Sequence, residues 1–545
     1  MPAPNRTVAE TLLHSLRAHD VDRIFCVAGE SYLPLLDALY DSEVDVLGCR
    51  HEGSAGFAAL ADAKLTGRAG VCLVSRAPGA ANAAIAVHAA AEDATALVVL
   101  VGDVPTRELG RESFQSGRPL GDLTKAVLTL YTPEATGETV RRAFRVAESG
   151  TPGPVVLHVP EDVFDRTGAD QPAGRVTLGH TVPGERDFES VHGLLTAARR
   201  PLLLAGSMLD TASGRTLLRQ TSQRHSLPVV TSNKNQHLLE NRHRCYAGHL
   251  HNSTQPQQLA EFDRADLVLA VGTRLGQIST RRLRFPRGPE PDQALVHVHP
   301  DPARIGRYHR VTAGFAMDPV DFLGRLDAAG PPHRLPNGRD RWCEGLHALE
   351  EDNARWVPPD SGEVTVGEIA SALDELTEGA VTVIVDSGTF TSWTYRFLRF
   401  AQSGRLVGID SSAMGFAPGA ALAVGARTRT VPTVALVGDG GFVMNGGELA
   451  TLCERRLPVV FVVSDNASLG TIRLHQQQRY PDRGIATDLE NPDFPRLAQA
   501  FGALGLAATT ADEVRTGLAK ALDHPGPSLL SVRTSRKHLT PYHHL

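Results

Sequence analysis

Twelve short runs of aliphatic and β-branched residues, each closing on or beside Gly, Asp, Pro or another turn residue, recur along this 545-residue chain with Ala/Leu-rich helical stretches between them. Runs of four to seven such residues without polar alternation are buried on both faces, which is the condition of a parallel strand covered by crossover helices. The pattern therefore predicts an α/β protein and excludes all-helical and all-antiparallel folds. The expected strands fall in three sets: 23–28, 70–74, 96–101 and 154–159; 201–205, 228–231, 266–271 and 294–298; and 381–385, 432–437, 458–463 and 527–532. Two polar stretches rich in Pro and Gly, 165–190 and 327–363, break the rhythm and read as linkers, the second with a short helix around Trp342–Trp356. Three domains follow, 1–170, 190–330 and 360–545, which suits a length beyond what one core sustains.

Charge narrows what such a chain can bind. Lys and Arg number 55 against 61 Asp and Glu, a formal net charge of −6, so there is no basic footprint for nucleic acid. An anionic ligand must be held by a local device such as loop amides, a helix start or a metal ion. Six scattered cysteines show neither CxxC nor zinc spacing and read as reduced core residues of a cytoplasmic protein. The longest aliphatic runs fall far short of the roughly 20 residues of a membrane span, so no membrane partner is expected.

The strongest local signal is VALVGDGGFVMNGGELATLCERRLPVVFVVSDN, residues 434–466. One buried strand ends at Val437 before the turn Gly438-Asp439-Gly440, a helix follows near 446–455, and a second strand ends before Asp465-Asn466. If these strands are neighbours, the crossover puts Asp439 and Asn466 on one rim, where α/β sheets bind ligands. A carboxylate, an amide oxygen and a backbone carbonyl suit Mg²⁺, which leaves its other positions to phosphate and water. Taken singly, GDGG and DN are each ordinary turns, and it is their joint spacing that favours a metal and phosphate site.

Three further stretches carry weaker signals. In SRAPGAANAAIAVHAAAEDA (75–94), a Pro-Gly turn opens an Ala-rich helix. In RHEGSAGFAALADAKLTG (50–67), Glu52 opens a small-residue helix. Such an acid ordinarily complements the helix dipole, but a closely packed helix behind it can desolvate it and raise its pKa. In SSAMGFAPGAALAVG (411–425), Met414 stands among small residues, either as core filling or as a bulky prop in a pocket.

Together these residues, with GRESFQ at 110–115 and DNASLGTIRLHQ at 465–476, resemble the thiamine diphosphate-dependent enzymes of the acetolactate synthase and 2-oxo acid decarboxylase superfamily. The similarity runs in order from about residue 8 to 535, and Pro492–Ala503 is similar to a stretch of acetolactate synthase large subunits. The resemblance implies three consecutive doubly wound domains: pyrimidine-binding, Rossmann-like and diphosphate-binding. It implies a site formed between two subunits, hence a homodimer as the minimal unit, with a homotetramer as the larger alternative. Glu52 would be the acid that hydrogen-bonds the aminopyrimidine, with Pro78, Gly79 and Asn82 around that ring. Met414 would prop the cofactor and the Ser412 carbonyl would receive its amino hydrogen. Asp439, Asn466 and the Ser468 carbonyl would ligate Mg²⁺, and Gly438, Gly440, Gly441, Leu469 and Gly470 would line the diphosphate. Glu30, Gln115 and His475 would face the substrate.

This sequence also departs from the family pattern. The usual GlyProGly reads Ala77-Pro78-Gly79, AsnAsn reads Asp465-Asn466, and His475 stands where acetolactate synthases carry a Trp. The family's structural FAD leans on acidic strand-end residues, and VHVHPDPARIGR carries His297 and His299 there, which argues against FAD. The resemblance implies a carboligase that decarboxylates a 2-oxo acid and joins the activated aldehyde to a carbonyl acceptor. The alternatives are a simple 2-oxo acid decarboxylase, with Glu30 as proton donor, and a non-catalytic homologue that binds or assembles. NAD-dependent oxidoreduction is disfavoured because no GxGxxG follows a middle strand.

Overall fold

The computed structural model describes residues 6–542 except 112, 169–171, 177, 178, 180, 181, 253, 332–334 and 429. The first sheet is built from β1 (Arg23–Cys26), β2 (Asp45–Gly48), β3 (Gly70–Ser75), β4 (Leu97–Asp103), β5 (Ala126–Thr129) and β6 (Pro154–Pro160). The second has β7 (Pro201–Ala205), β8 (Val229–Thr231), β9 (Tyr246–His249), β10 (Leu267–Val271), β11 (Ala294–Val298) and β12 (Ala313–Phe315). The third has β13 (Thr382–Val385), β14 (Arg405–Val407), β15 (Thr433–Gly438), β16 (Val459–Asp465), β17 (Leu504–Ala508) and β18 (Ser528–Arg533). All the pairings are parallel.

The outer sheets share one order, β2-β1-β3-β4-β6-β5 and β14-β13-β15-β16-β18-β17. The middle sheet runs β12-β11-β10-β7-β8-β9, which is the order of doubly wound dinucleotide folds, with its switch point between β7 and β10. The expected α/β class, with three sheets in succession, is what the chain adopts. The twelve expected strands are all present. The six others, β2, β5, β9, β12, β14 and β17, are the edges of the three sheets. An edge strand is short and covered on fewer sides, so it need not be a continuous aliphatic run; Asp45-Val-Leu-Gly48 and Leu504–Ala508 are half open to solvent.

The linker reading needs correction in two places. Glu185 opens a helix, Glu185–Ala197, inside the first stretch. In the second, a 15-residue helix spans Arg339–Asn353, not Trp342–Trp356. Its first residue, Arg339, is fully buried and donates to the Ala198 and Leu195 carbonyls, and Trp342 donates from Nε1 to the Pro201 carbonyl at 2.9 Å. This helix packs on the middle sheet and covers its β9 edge. Trp356 lies beyond its end and meets Trp393 and Phe397 edge-on at 5.5 and 4.9 Å.

The outer two sheets are joined by a shared core. Helix Glu52–Thr66 is buried on every side from Gly53 to Ala63, which its Ala/Gly sequence permits. It lies against helix Phe416–Arg427, with Ser54 facing Gly419 at one end and Arg427 Nε on Asp62 at 2.7 Å at the other, so the two helices run in the same direction. Five of the six thiols are buried and all six are free. Among the described residues no helix is long and apolar enough to cross a membrane.

Candidate active site

Three neighbouring strands of the third sheet end in an acid at the same rim: Asp386 follows β13, Asp439 follows β15 and Asp465 closes β16. β15 and β16 pair in register with Gly438 opposite Ser464, so Asp439 comes opposite Asp465 and Asn466 follows one residue further along the same rim. The turn expected at 438–440 is instead the first turn of a helix, Asp439–Asn445, entered directly from Gly438, and a second helix follows at Glu448–Glu454. The backbone here is tight. A Cβ on Gly440 would stand 2.8 Å from Leu469 Cδ2 and 3.7 Å from Met414 Cε, so Gly440, Leu469 and Met414 bound one small space.

Asp439 is 3% exposed, and Asn491 Nδ2 donates both to its Oδ2 and to Asp465 Oδ1, each at 2.8 Å. Burial pushes the Asp439 carboxyl above its ordinary range; bonds from Asn491 and the Gly440 amide pull it back, and the Asp465 charge pushes it further up. Asp465 is itself 3.3 Å from Arg533, which meets the charge it adds beside Asn466. The Asn466 side-chain oxygen accepts from Ser468 N at 3.0 Å. Ser468 is stitched to a neighbouring strand-like segment by its Oγ, which donates to the Thr487 carbonyl at 2.9 Å, and Leu469 N donates to the same carbonyl. Gly470 then opens the helix Gly470–Arg479.

Asp386, which the sequence reading missed, anchors the Met414 segment. Its buried carboxylate accepts from Ser387 N, Gly415 N and Ala417 N at 2.7, 3.0 and 2.8 Å. Ser387 Oγ donates to the Ala413 carbonyl at 3.0 Å, so Met414 is fixed from both sides. Ser412, two residues earlier, is exposed with φ +57. The signal for Asp386 was a third aliphatic run ending in Asp, beside those ending at Asp439 and Asp465.

A second group lies at the rim of the first sheet. Glu52 opens its helix behind the cap His51, whose Nδ1 accepts from Gly53 N at 3.0 Å. Asn82 Nδ2 donates to Glu52 Oε2 at 2.9 Å, and Glu52 Oε1 lies 3.3 Å from where a Cβ on Gly79 would stand. Pro78 and Gly79 are not a free turn but the first turn of helix Arg76–Asp93. Glu30, 77% exposed at its side chain, and Gln115 come together through a residue the sequence reading passed over, Arg76. His475 stands exposed on the helix Gly470–Arg479.

Comparison with known proteins adds an independent line. Residues 6–121 match the family described as thiamine pyrophosphate enzyme, N-terminal TPP binding domain; 188–326 match its central domain and 386–532 its C-terminal TPP binding domain. The acetolactate synthase large subunit of Parasynechococcus marenigrum (strain WH8102) is 30% identical over 97% of this chain and 87% of its own length. The acetolactate synthase isozyme 2 large subunit of Escherichia coli (strain K12) is 29% identical over 96% and 95%, and a probable acetolactate synthase large subunit of Methanocaldococcus jannaschii is 29% identical over 96% and 91%.

Proposed function

Because this chain belongs to the thiamine diphosphate-dependent, acetolactate synthase-like enzyme family, we propose that it is a carboligase that decarboxylates a 2-oxo acid, with pyruvate the default donor, and joins the activated aldehyde to a carbonyl acceptor. The observation that carries this reading is the β15/β16 register, which sets Asp439 and Asn466 on one rim beside Met414.

The residues present fit both groups that this chemistry requires. A nearly buried Asp439, pushed up by burial and by the adjacent Asp465, is relieved by a divalent cation, and the Asn466 amide oxygen and Ser468 carbonyl complete an oxygen set suited to Mg²⁺. Gly438, Gly440, Gly441, Leu469 and Gly470 would line the diphosphate, where the close backbone at Gly440 admits no side chain. When bound, thiamine diphosphate supplies a nucleophilic carbon and an electron sink for the pair left by departing CO₂. Glu52 Oε2 is held by Asn82, which leaves Oε1 to bond the pyrimidine nitrogen and exchange a proton with it. Pro78 and Gly79 would flank that ring, the Ser412 carbonyl would accept its amino hydrogen, and Met414, fixed through Asp386 and Ser387, would press the cofactor into its bent form. Glu30, Gln115 and His475 would face the donor and acceptor.

FAD does not fit. His299, at the end of β11, is 1% exposed, its Nδ1 accepts from Asp301 N at 3.0 Å, and burial pushes it down to about 4, so it offers a neutral ring in place of a carboxylate for ribityl hydroxyls. A homodimer, or a homotetramer built from it, in which two copies complete the site, belongs to the same proposal. Six free thiols support a cytoplasmic location. The domain division 1–170, 190–330 and 360–545 belongs to the same proposal.

The test is a panel of 2-oxo acids, alone and in pairs, with thiamine diphosphate and Mg²⁺, assayed for CO₂ and ligated product. Ligated product supports the carboligase. CO₂ with aldehyde alone supports the second reading, decarboxylation with Glu30 as proton donor, and absence of Mg²⁺-dependent cofactor binding would point to a non-catalytic homologue.

A further inference from the structure

We propose that Arg76 is a positioning residue that sets the outcome of ligation by fixing the Gln115 amide at the substrate rim. The inference rests on the carboligase reading and adds to it a residue that no motif of the family brought forward. Arg76 opens the helix Arg76–Asp93 with φ +50, and Gln115 sits at φ +59. A non-glycine residue in the left-handed region is disfavoured sterically, and such conformations persist where the surroundings hold them. Here they hold each other. Ala77 N donates to the Gln115 carbonyl at 3.3 Å, and Arg76 Nη1 donates to the Gln115 side-chain oxygen at 3.1 Å. On its other prong, Arg76 Nη2 donates to Glu161 at 2.7 Å and lies 3.9 Å from Glu30. The Arg76 side chain is 13% exposed, and its Nε is buried with no partner among the described residues.

This arrangement fixes an orientation. With its oxygen occupied by a guanidinium, the Gln115 amide cannot turn over, so its two N–H donors face away from Arg76 with a set polarity. An oriented amide donor at the rim is what a carbonyl or carboxylate oxygen of the acceptor needs. The charge count excludes a simpler role. Glu30 and Glu161 outnumber the single guanidinium, so Arg76 is already neutralised and is not a clamp for an anionic tail of the substrate. The fork also has a shape requirement. A lysine in its place keeps the charge near Glu161 but cannot hold Gln115 and Glu161 at once.

The experiment measures the ratio of ligated product to free aldehyde in the full-length enzyme with pyruvate, thiamine diphosphate and Mg²⁺. Both products come from the same active molecules, so loss of folded protein does not move the ratio. Arg76→Ser and Arg76→Lys are each expected to lower it by about fivefold or more, the scale of one charge-assisted hydrogen bond. Arg76→Lys retains the ion pair and guards against a folding defect. Adding Arg76→Ser to Gln115→Ala should change the ratio by less than about twofold, because both act through one contact. A ratio unchanged in both Arg76 variants, or effects that multiply in the double variant, overturns the proposal while leaving the carboligase in place. A parent that gives only aldehyde overturns the carboligase reading and the proposal with it.

Discussion

Asp439 concentrates the chemistry of the third sheet into one side chain: nearly buried, shared with Asp465 through a single Asn491 amide, and held above its ordinary range by burial. Replacing it by Ala should weaken Mg²⁺-dependent thiamine diphosphate binding by at least about a hundredfold, since both a charge and a ligand are lost; calorimetry with and without Mg²⁺ measures this. Glu52→Gln separates binding from turnover. The Asn82 bond has a neutral counterpart in the amide, so cofactor affinity should change little while kcat falls by roughly 10²–10⁴, the usual worth of a positioned acid–base group. At this scale the sequence was legible where residues lay at a spacing set by one βαβ unit, as with Asp439 and Asn466. It was not legible for Asn491 and Arg76, whose partners lie far away along the chain or in another loop and leave no local pattern.

Helices Glu52–Thr66 and Phe416–Arg427 depend on the Ala and Gly they carry, because they pack closely enough that a Cβ on Gly419 would stand 2.8 Å from the Ser54 carbonyl and 3.0 Å from Phe57 Cβ. Gly419→Ala should therefore destabilise the pairing of the outer domains by about 1–3 kcal/mol, the cost of overpacking a close contact, read as a lowered Tm with the cofactor absent. The central strands were legible because burial on both faces demands continuous aliphatic runs. The six edge strands were not. The covered edge β9 reads Tyr-Ala-Gly-His, which owes its burial to the helix Arg339–Asn353 rather than to its own hydrophobicity. That helix was expected, but its bounds were displaced towards the chain's end, because its first turn is anchored by Arg339, a charged residue buried through hydrogen bonds.

At the scale of the whole molecule the outer sheets share an apolar core, while the middle and third sheets meet through buried polar groups. One such junction brings His249 of the middle sheet, Glu350 of the helix Arg339–Asn353, Arg396 beside the third sheet and Tyr542 of the C-terminal segment around one enclosed space. Gln258 donates to Glu350 at 2.6 Å, and burial raises the Glu350 carboxyl from 4.5 to about 7. An acid raised on folding contributes stability while protonated, fully present below 4.5 and lost as pH rises through about 7. His249 acts in the opposite sense, pushed down to about 3 by burial, and its contribution is lost as pH falls below 6.5. Comparing Glu350→Gln with the parent cancels the histidine. The variant's Tm relative to the parent should rise steadily from pH 5 to pH 8, and a flat difference would show that Glu350 is ionised without cost.

The central claim is that these rims serve a carboligase, and a single turnover with labelled pyruvate in the presence of thiamine diphosphate and Mg²⁺ tests it most directly. CO₂ is expected together with a product in which the label is joined through a new carbon–carbon bond to a second pyruvate or an added aldehyde. Free acetaldehyde as the sole labelled product would contradict it.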